Sequence, residues 1–207
     1  MSQNYDIYLS YNEVMVNRGF NIRVFPHRPK SMHKIIIVLL SEIDTHFTDA
    51  LRQNIEKTFN HPVEVRSKIN SLEYAYDQIR DQYKSPYLLS RLKRVKKSPG
   101  DKIMGVADVD LYSPGYDFVY GEADVNAGVA TLSINRLITG EQDIPSNLNL
   151  YIDRIIREAT HEIGHLYGLV HCSDQRCVMR TCTCLPEVDA AGGGLCNTCM
   201  ENLNNNL

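Results

Sequence analysis

His161 and His165 stand four residues apart with Glu162 directly after the first, and this spacing is where chemistry is legible first. On a helix, positions i and i+4 lie one turn apart on one face, so both imidazoles can reach a single ion. Neutral imidazole nitrogens suit zinc at about 2.0–2.1 Å. Glu162 falls between the pair, placed to hold a water at the metal without being a ligand. Gly168 and His171 follow at intervals of three. A straight helix would carry position 171 along the axis and away from the ion. Glycine takes a left-handed conformation at low cost, ends the helix and turns the chain back. His171 can then supply a third ligand. Three protein ligands and one open position make a catalytic zinc site rather than a structural one. The full pattern HExxHxxGxxH fixes five positions in eleven, far more than an incidental surface or core histidine pair would satisfy.

The chemistry follows from those residue types. Such a zinc lowers the pKa of a water to about 7 and polarises a carbonyl. Glu162 would take the proton as the water attacks a carbonyl carbon, then pass it to the leaving amine. The expected reaction is peptide-bond hydrolysis without a covalent intermediate. Another hydrolase, such as an amidase, would use the same residues, and cleft shape separates the two. The alternative from a different class is a latent or non-catalytic, zinc-stabilised binding or regulatory protein. Glu162 argues against it, because a structural zinc has no need of that carboxylate. An N-terminal segment over the cleft would nevertheless give latency with every ligand intact.

The cysteines are placed asymmetrically. All six, Cys172, Cys177, Cys182, Cys184, Cys196 and Cys199, lie after His171. A secreted scaffold spreads its bridges through the fold, whereas a short-spaced cluster reads as a metal site in a reducing compartment. The expected location is therefore cytoplasmic. Cys196 and Cys199 form a CxxC pair, and Cys172 with Cys177 can complete a tetrahedral site. Four cysteines leave no open position, so this second zinc would be structural and would pin the tail to the end of the helix. Two zinc ions per chain are expected. Cys182 and Cys184 are spare thiols, or one replaces an assigned ligand; spacing does not decide between these.

The remaining sequence must position these groups. In 207 residues the hydrophobic share is 43%, the charged share 23% and the net charge −3. These values fit one globular unit with a small appendage and give no sign of a nucleic-acid or membrane partner. No apolar run is long enough to span a bilayer, and no basic start followed by an apolar block suggests a leader. Lys34 to Leu40 reads as a strand buried on both faces. Asp44 to Phe59 reads as an amphipathic helix and Pro62 to Arg66 as a second strand. Glu73 to Lys97 reads as partly helical, interrupted near Ser85-Pro86, with the basic residues Arg91, Lys93, Arg94, Lys96 and Lys97 on a solvated face. Strands are expected over Lys102 to Asp108, Asp117 to Asp124 and Gly128 to Ile134. A long helix follows over Leu150 to Leu169, with Asn147 or Asn149 as its cap. After Cys172 the chain reads as loop. The order implies a layered α/β or α+β domain.

With these residues in place, the run from His161 through His171-Cys172, then Cys177-Val178-Met179, then Cys196-x-x-Cys199, resembles the archaemetzincins, metzincin-like zinc metallopeptidases. Gly105-Val106-Ala107-Asp108-Val109-Asp110-Leu111-Tyr112 and Phe118-Val119-Tyr120-Gly121 are similar to the same family. The resemblance implies a metzincin-like α/β fold. Its parts are a mixed twisted sheet, an active-site helix and a small Cys-rich zinc-binding C-terminal part. It implies that His161, His165 and His171 hold the catalytic zinc, that Glu162 is the general base and acid, and that Cys172, Cys177, Cys196 and Cys199 hold the second. Met179 would form a methionine turn beneath the zinc ligands. An antiparallel edge strand near Phe118 to Asp124 would border the cleft and pair with an extended peptide, possession of which makes a peptide or protein the expected partner. Aminopeptidase-like activity is a further implication. The expected division is an N-terminal extension over 1–33, a catalytic core over 34–171, and a methionine-turn and four-cysteine segment over 172–207, acting as a monomer.

Overall fold

Side chains alternate across a strand, so a fully apolar run must be covered on both faces. Ile35–Leu39 (β1) obeys this rule, with all five residues buried. Ile35, Ile37 and Leu39 join one apolar cluster, while Ile36, Val38 and the following Leu40 join another on the opposite face. The structure, a computed structural model, describes residues 33–43, 47–67, 71–138 and 147–207. The expected N-terminal extension therefore lies outside the described residues, His33 excepted.

Around β1 the order is helix Thr48–Phe59 (α1), strand Val63–Ser67 (β2), short strands Tyr76–Asp77 (β3) and Gln82–Lys84 (β4), and helix Ser85–Val95 (α2). Strands Lys102–Ala107 (β5), Leu111–Tyr112 (β6), Gly121–Asp124 (β7) and Val129–Ser133 (β8) follow. Helices Leu148–Leu166 (α3), Leu185–Ala190 (α4) and Asn197–Asn206 (α5) complete the described part. The main sheet runs β2-β1-β5-β8-β7. Four strands are parallel and β7 alone pairs antiparallel, to β8, at the edge. A second sheet runs β3-β4-β6. This is the mixed sheet the sequence implies. α1 and α3 cover one face, where Leu51, Ile55, Phe59, Ile155, Ala159 and Ile163 are buried. α2 covers the other through Leu88, Leu89 and Leu92. Each such large apolar side chain contributes about 1.5–3 kcal/mol on burial, before the entropy of ordering is charged against it.

Several expectations are corrected. Ser85-Pro86 does not interrupt a helix but begins one, with Pro86 in the first turn, where its missing N–H costs nothing. The preceding residues form a 3-10 turn at Glu73–Ala75 and the hairpin β3-β4 instead. Phe118 to Tyr120 is not strand; only Gly121–Asp124 pairs in the ladder. The C-terminal part is not loop throughout. α5 forms in a polar run because Cys199 and Leu203 bury one side of it. Val178, Met179, Val188 and Leu203 share the apolar cluster of α3, so the tail has no core of its own among the described residues.

Candidate metal centre and cleft

α3 is the element that places the first two histidines. Asn147 caps its start, accepting from the Leu150 N–H at 3.1 Å, as the sequence suggests. Its end is a Schellman turn: the Leu169 N–H donates to Gly164 O at 3.0 Å and the Gly168 N–H to His165 O at 2.9 Å. Gly168 has φ +80°, a conformation glycine adopts without penalty. The helix therefore stops at Leu166, three residues sooner than the apolar pattern suggests, and the chain returns His171 to the other two rings. Ring centroids lie 4.6 Å apart for His161 and His165, 5.3 Å for His161 and His171, and 5.0 Å for His165 and His171.

The donor atoms are oriented by the backbone. Nδ1 of His161 lies 2.9 Å from Val178 O, and Nδ1 of His165 lies 2.8 Å from Leu169 O. With Nδ1–H donating to each carbonyl, both Nε2 lone pairs are left free. Those two Nε2 atoms stand 3.0 Å apart. Two nitrogens about 2.0–2.1 Å from one tetrahedral ion would stand about 3.3 Å apart, so the spacing fits a shared metal. One nitrogen from each of the three histidines lies within a common 4.8 Å. Burial pulls the His161 imidazolium pKa down to about 4 and lowers that of His165, which keeps both rings neutral and able to ligate at neutral pH.

Glu162 lies beside this cluster and is 6% exposed. Burial, with the nearby Glu158 and Glu122 carboxylates, raises its carboxyl well above the usual range. It packs flush against Gly121 of β7. A methyl at that position would stand 2.5 Å from Glu162 Cγ and 2.6 Å from its Oε1. Gly121→Ala is therefore expected to displace the carboxylate and lower kcat/KM by about a hundredfold, since a shift of an ångström at a reacting group costs that much. Steady-state kinetics at equal zinc content checks this, and a fully active variant would mean that the strand does not fix Glu162.

Met179 is wholly buried below the helix. A methyl at Gly164 would meet its Sδ at 2.5 Å. Alanine gains about 1 kcal/mol over glycine in a helix. Overpacking a closed core costs about 1–3 kcal/mol. The second effect should win, so Gly164→Ala is expected to lose up to about 2 kcal/mol in urea denaturation. A more stable variant would show that Met179 moves aside freely.

The four cysteines named from spacing converge as well. One sulfur from each of Cys172, Cys177, Cys196 and Cys199 lies within a common 4.8 Å. Cys172 Sγ and Cys196 Sγ are 3.8 Å apart, matching the roughly 3.8 Å expected for two thiolates about 2.3 Å from one tetrahedral zinc. Backbone N–H groups of Asp174 and Cys196 donate to Cys172 Sγ and Cys177 Sγ, each at 3.4 Å, the outer support that thiolate ligands use. Cys182 and Cys184 stay outside the group: Cys182 lines the cleft and Cys184 is exposed.

The cleft in front of the histidines encloses about 560 Å³. Its rim is Tyr116 to Glu122, its floor is Glu158, His161 and Glu162, and Arg180 to Thr183 close the far side. Two of its acids escape the sequence reading. Glu158 precedes Glu162 by one helical turn and so shares its face, a signal available from spacing alone. Burial pushes its carboxyl up to about 7. Glu122 accepts from Ser113 Oγ at 3.2 Å, while its Oε2 is buried with no hydrogen-bond partner among the described residues. Among the described residues no helix is long and apolar enough to cross a membrane.

Known proteins place this arrangement. The model of Peptidase family M54 matches residues 30–205. Archaemetzincin from Methanopyrus kandleri is 36% identical over 172 residues, covering 83% of this chain and 91% of the relative. Its crystal structure superposes with a TM-score of 0.75 at 30% identity, covering 86% of this chain and 98% of that one. A zinc-dependent peptidase from Methanocorpusculum labreanum gives the same TM-score at 29% identity, covering 82% and 100%. A match that spans the sheet, the helix and the cysteine tail together shows that the chain belongs to peptidase family M54, the archaemetzincins.

Proposed function

We propose that the chain is a zinc-dependent peptidase in which His161, His165 and His171 hold the catalytic zinc and Glu162 is the general base and acid. Cys172, Cys177, Cys196 and Cys199 hold a second, structural zinc. The observation that carries the reading is the convergence of three imidazole nitrogens beside a buried carboxylate on the floor of an open cleft. The Methanocorpusculum labreanum relative, a zinc-dependent peptidase, supports it. Bound there, zinc supplies Lewis-acid chemistry, acidifying a water and polarising a carbonyl.

The chain's own groups do the rest. Val178 O and Leu169 O fix the two imidazoles in the tautomer that presents Nε2. Gly121 packs against Glu162 on the cleft floor, where its carboxylate takes a proton from water and returns one to the amine that leaves. Among the described residues β7 has one unpaired edge. Tyr120 O accepts from the Ser133 N–H on the paired side. The alternation of the ladder then turns the amide and carbonyl of Gly121 outward, where an extended peptide can pair with them. An aminopeptidase-like preference is part of the proposal. Zinc-replete protein incubated with a diverse peptide library, with a chelated sample beside it, tests the reading. Metal-dependent cleavage is expected, and product masses separate single-residue trimming from internal cuts. No cleavage at two bound zinc ions per chain would sink the peptidase assignment.

A further inference from the structure

Glu158 has no part in the hydrolysis proposed above, yet it is a buried acid in the cleft wall. It is 8% exposed. Burial acts on it alone: no hydrogen bond and no ion pair with a described residue offsets that cost. Arg154 shows the contrast. It is 3% exposed and one turn earlier on α3, and it donates to both carboxylate oxygens of Asp189 at 2.6 Å and to Leu137 O at 2.9 Å. A buried carboxyl without a donor either keeps its proton or takes a cationic partner from outside. Glu158 lines the cleft, one turn before Glu162, with Tyr120 and Cys182 as neighbouring walls. Arg180, the one arginine on the wall among the described residues, directs Nη1 to Gln175 O at 3.3 Å instead.

Resting on the peptidase reading, we propose that Glu158 is a specificity-determining residue that receives a cationic nitrogen group of the bound peptide next to the scissile bond. Two sources carry that chemistry: a lysine or arginine side chain, and the free N-terminal ammonium. Cys182 and Tyr120 line the same part of the cleft, and the low exposure of Glu158 strengthens a charge-assisted hydrogen bond there. A neutral side chain in the same place leaves the carboxylate unpaired.

The test measures binding and so does not depend on turnover. Zinc-loaded Glu162→Gln protein, and the same protein carrying Glu158→Gln, are titrated calorimetrically with three peptides of one backbone. The first is N-acetylated and holds norleucine, the second replaces norleucine by lysine, and the third has norleucine with a free N-terminus. One of the two cationic peptides is expected to bind about ten- to a hundredfold tighter than the neutral one, the range of a hydrogen bond to a charged group. Which of them gains identifies the source. Glu158→Gln should erase that advantage and leave the neutral peptide within about twofold, because glutamine keeps the shape. No advantage for either cation, or one that survives Glu158→Gln, overturns the proposal. Thermal melting of Glu158→Gln should be unchanged or higher, since an unpaired buried carboxylate is removed. Failure of the peptidase reading shows separately, as wild-type protein that binds but cleaves none of the three.

Discussion

Glu162→Ala is expected to lower kcat/KM by about 10²–10⁴-fold, the range general acid–base catalysis supplies, while zinc content stays at the wild-type value. The geometry makes the two readouts separable. Glu162 is not among the converging nitrogen donors, so its loss removes no ligand. Its side chain packs from α3 against Gly121 of β7. Glu158 is a turn away and Glu122 is held by Ser113. Glu162→Gln adds the discriminating arm. It preserves shape and hydrogen bonding but cannot take a proton, so it should fall as far as alanine. Equal zinc with a glutamine variant near wild-type rate would make Glu162 a positioning residue only. Steady-state rates paired with atomic absorption on the same samples give the answer.

The site was more legible in the sequence than the frame around it, for physical reasons. Helical spacing, a turn-forming glycine and a third histidine are local, and local rules govern them; Gly168 adopts the conformation its residue type suggests. β1 was legible because a run of branched apolar residues has few other uses. The stretch over 73–84 was not. Its pairings are long-range: Tyr83 lies beside Leu111 in a parallel pair, and Tyr112 Oη donates to Asp77 Oδ2. No window of sequence contains both partners. α5 was hidden for a related reason. Asn197–Asn206 has poor helix formers and little apolar surface, and it folds because Leu203 finds the core of α3. Tertiary context overrides propensity there. Glu158 was hidden by its type, since a glutamate on a helix is ordinarily solvated, and only the closing of the cleft by Tyr120 and Arg180 to Thr183 makes it a buried acid.

Cys199→Ser is expected to remove one of two zinc equivalents and to destabilise the protein by several kcal/mol. Structural zinc sites bind with about 10–16 kcal/mol in small domains, and a whole domain holds only about 5–15. Cys199 is a demanding position for the loss. It is buried, and burial holds its thiol well above the usual range in the absence of a cation. Four sulfurs this close cannot all ionise without a metal to compensate them. Apart from the proposed zinc, α5 is held by Leu203 in the core and by Asn206 donating through Nδ2 to Tyr167 O at 2.8 Å. That contact lies on the turn that returns His171 to its place, and Cys172 is bonded directly to His171. Loosening α5 should therefore weaken the histidine site, so catalytic zinc is lost at a lower chelator concentration in Cys199→Ser than in wild type. Cys182→Ser and Cys184→Ser provide the contrast, because neither sulfur joins the cluster; both should keep two zinc ions. Zinc stoichiometry across a chelator series, read beside thermal denaturation, distinguishes the cases. A Cys199→Ser protein with two zinc ions and an unchanged Tm would mean that the tail is held by packing and that its four converging thiols bind nothing.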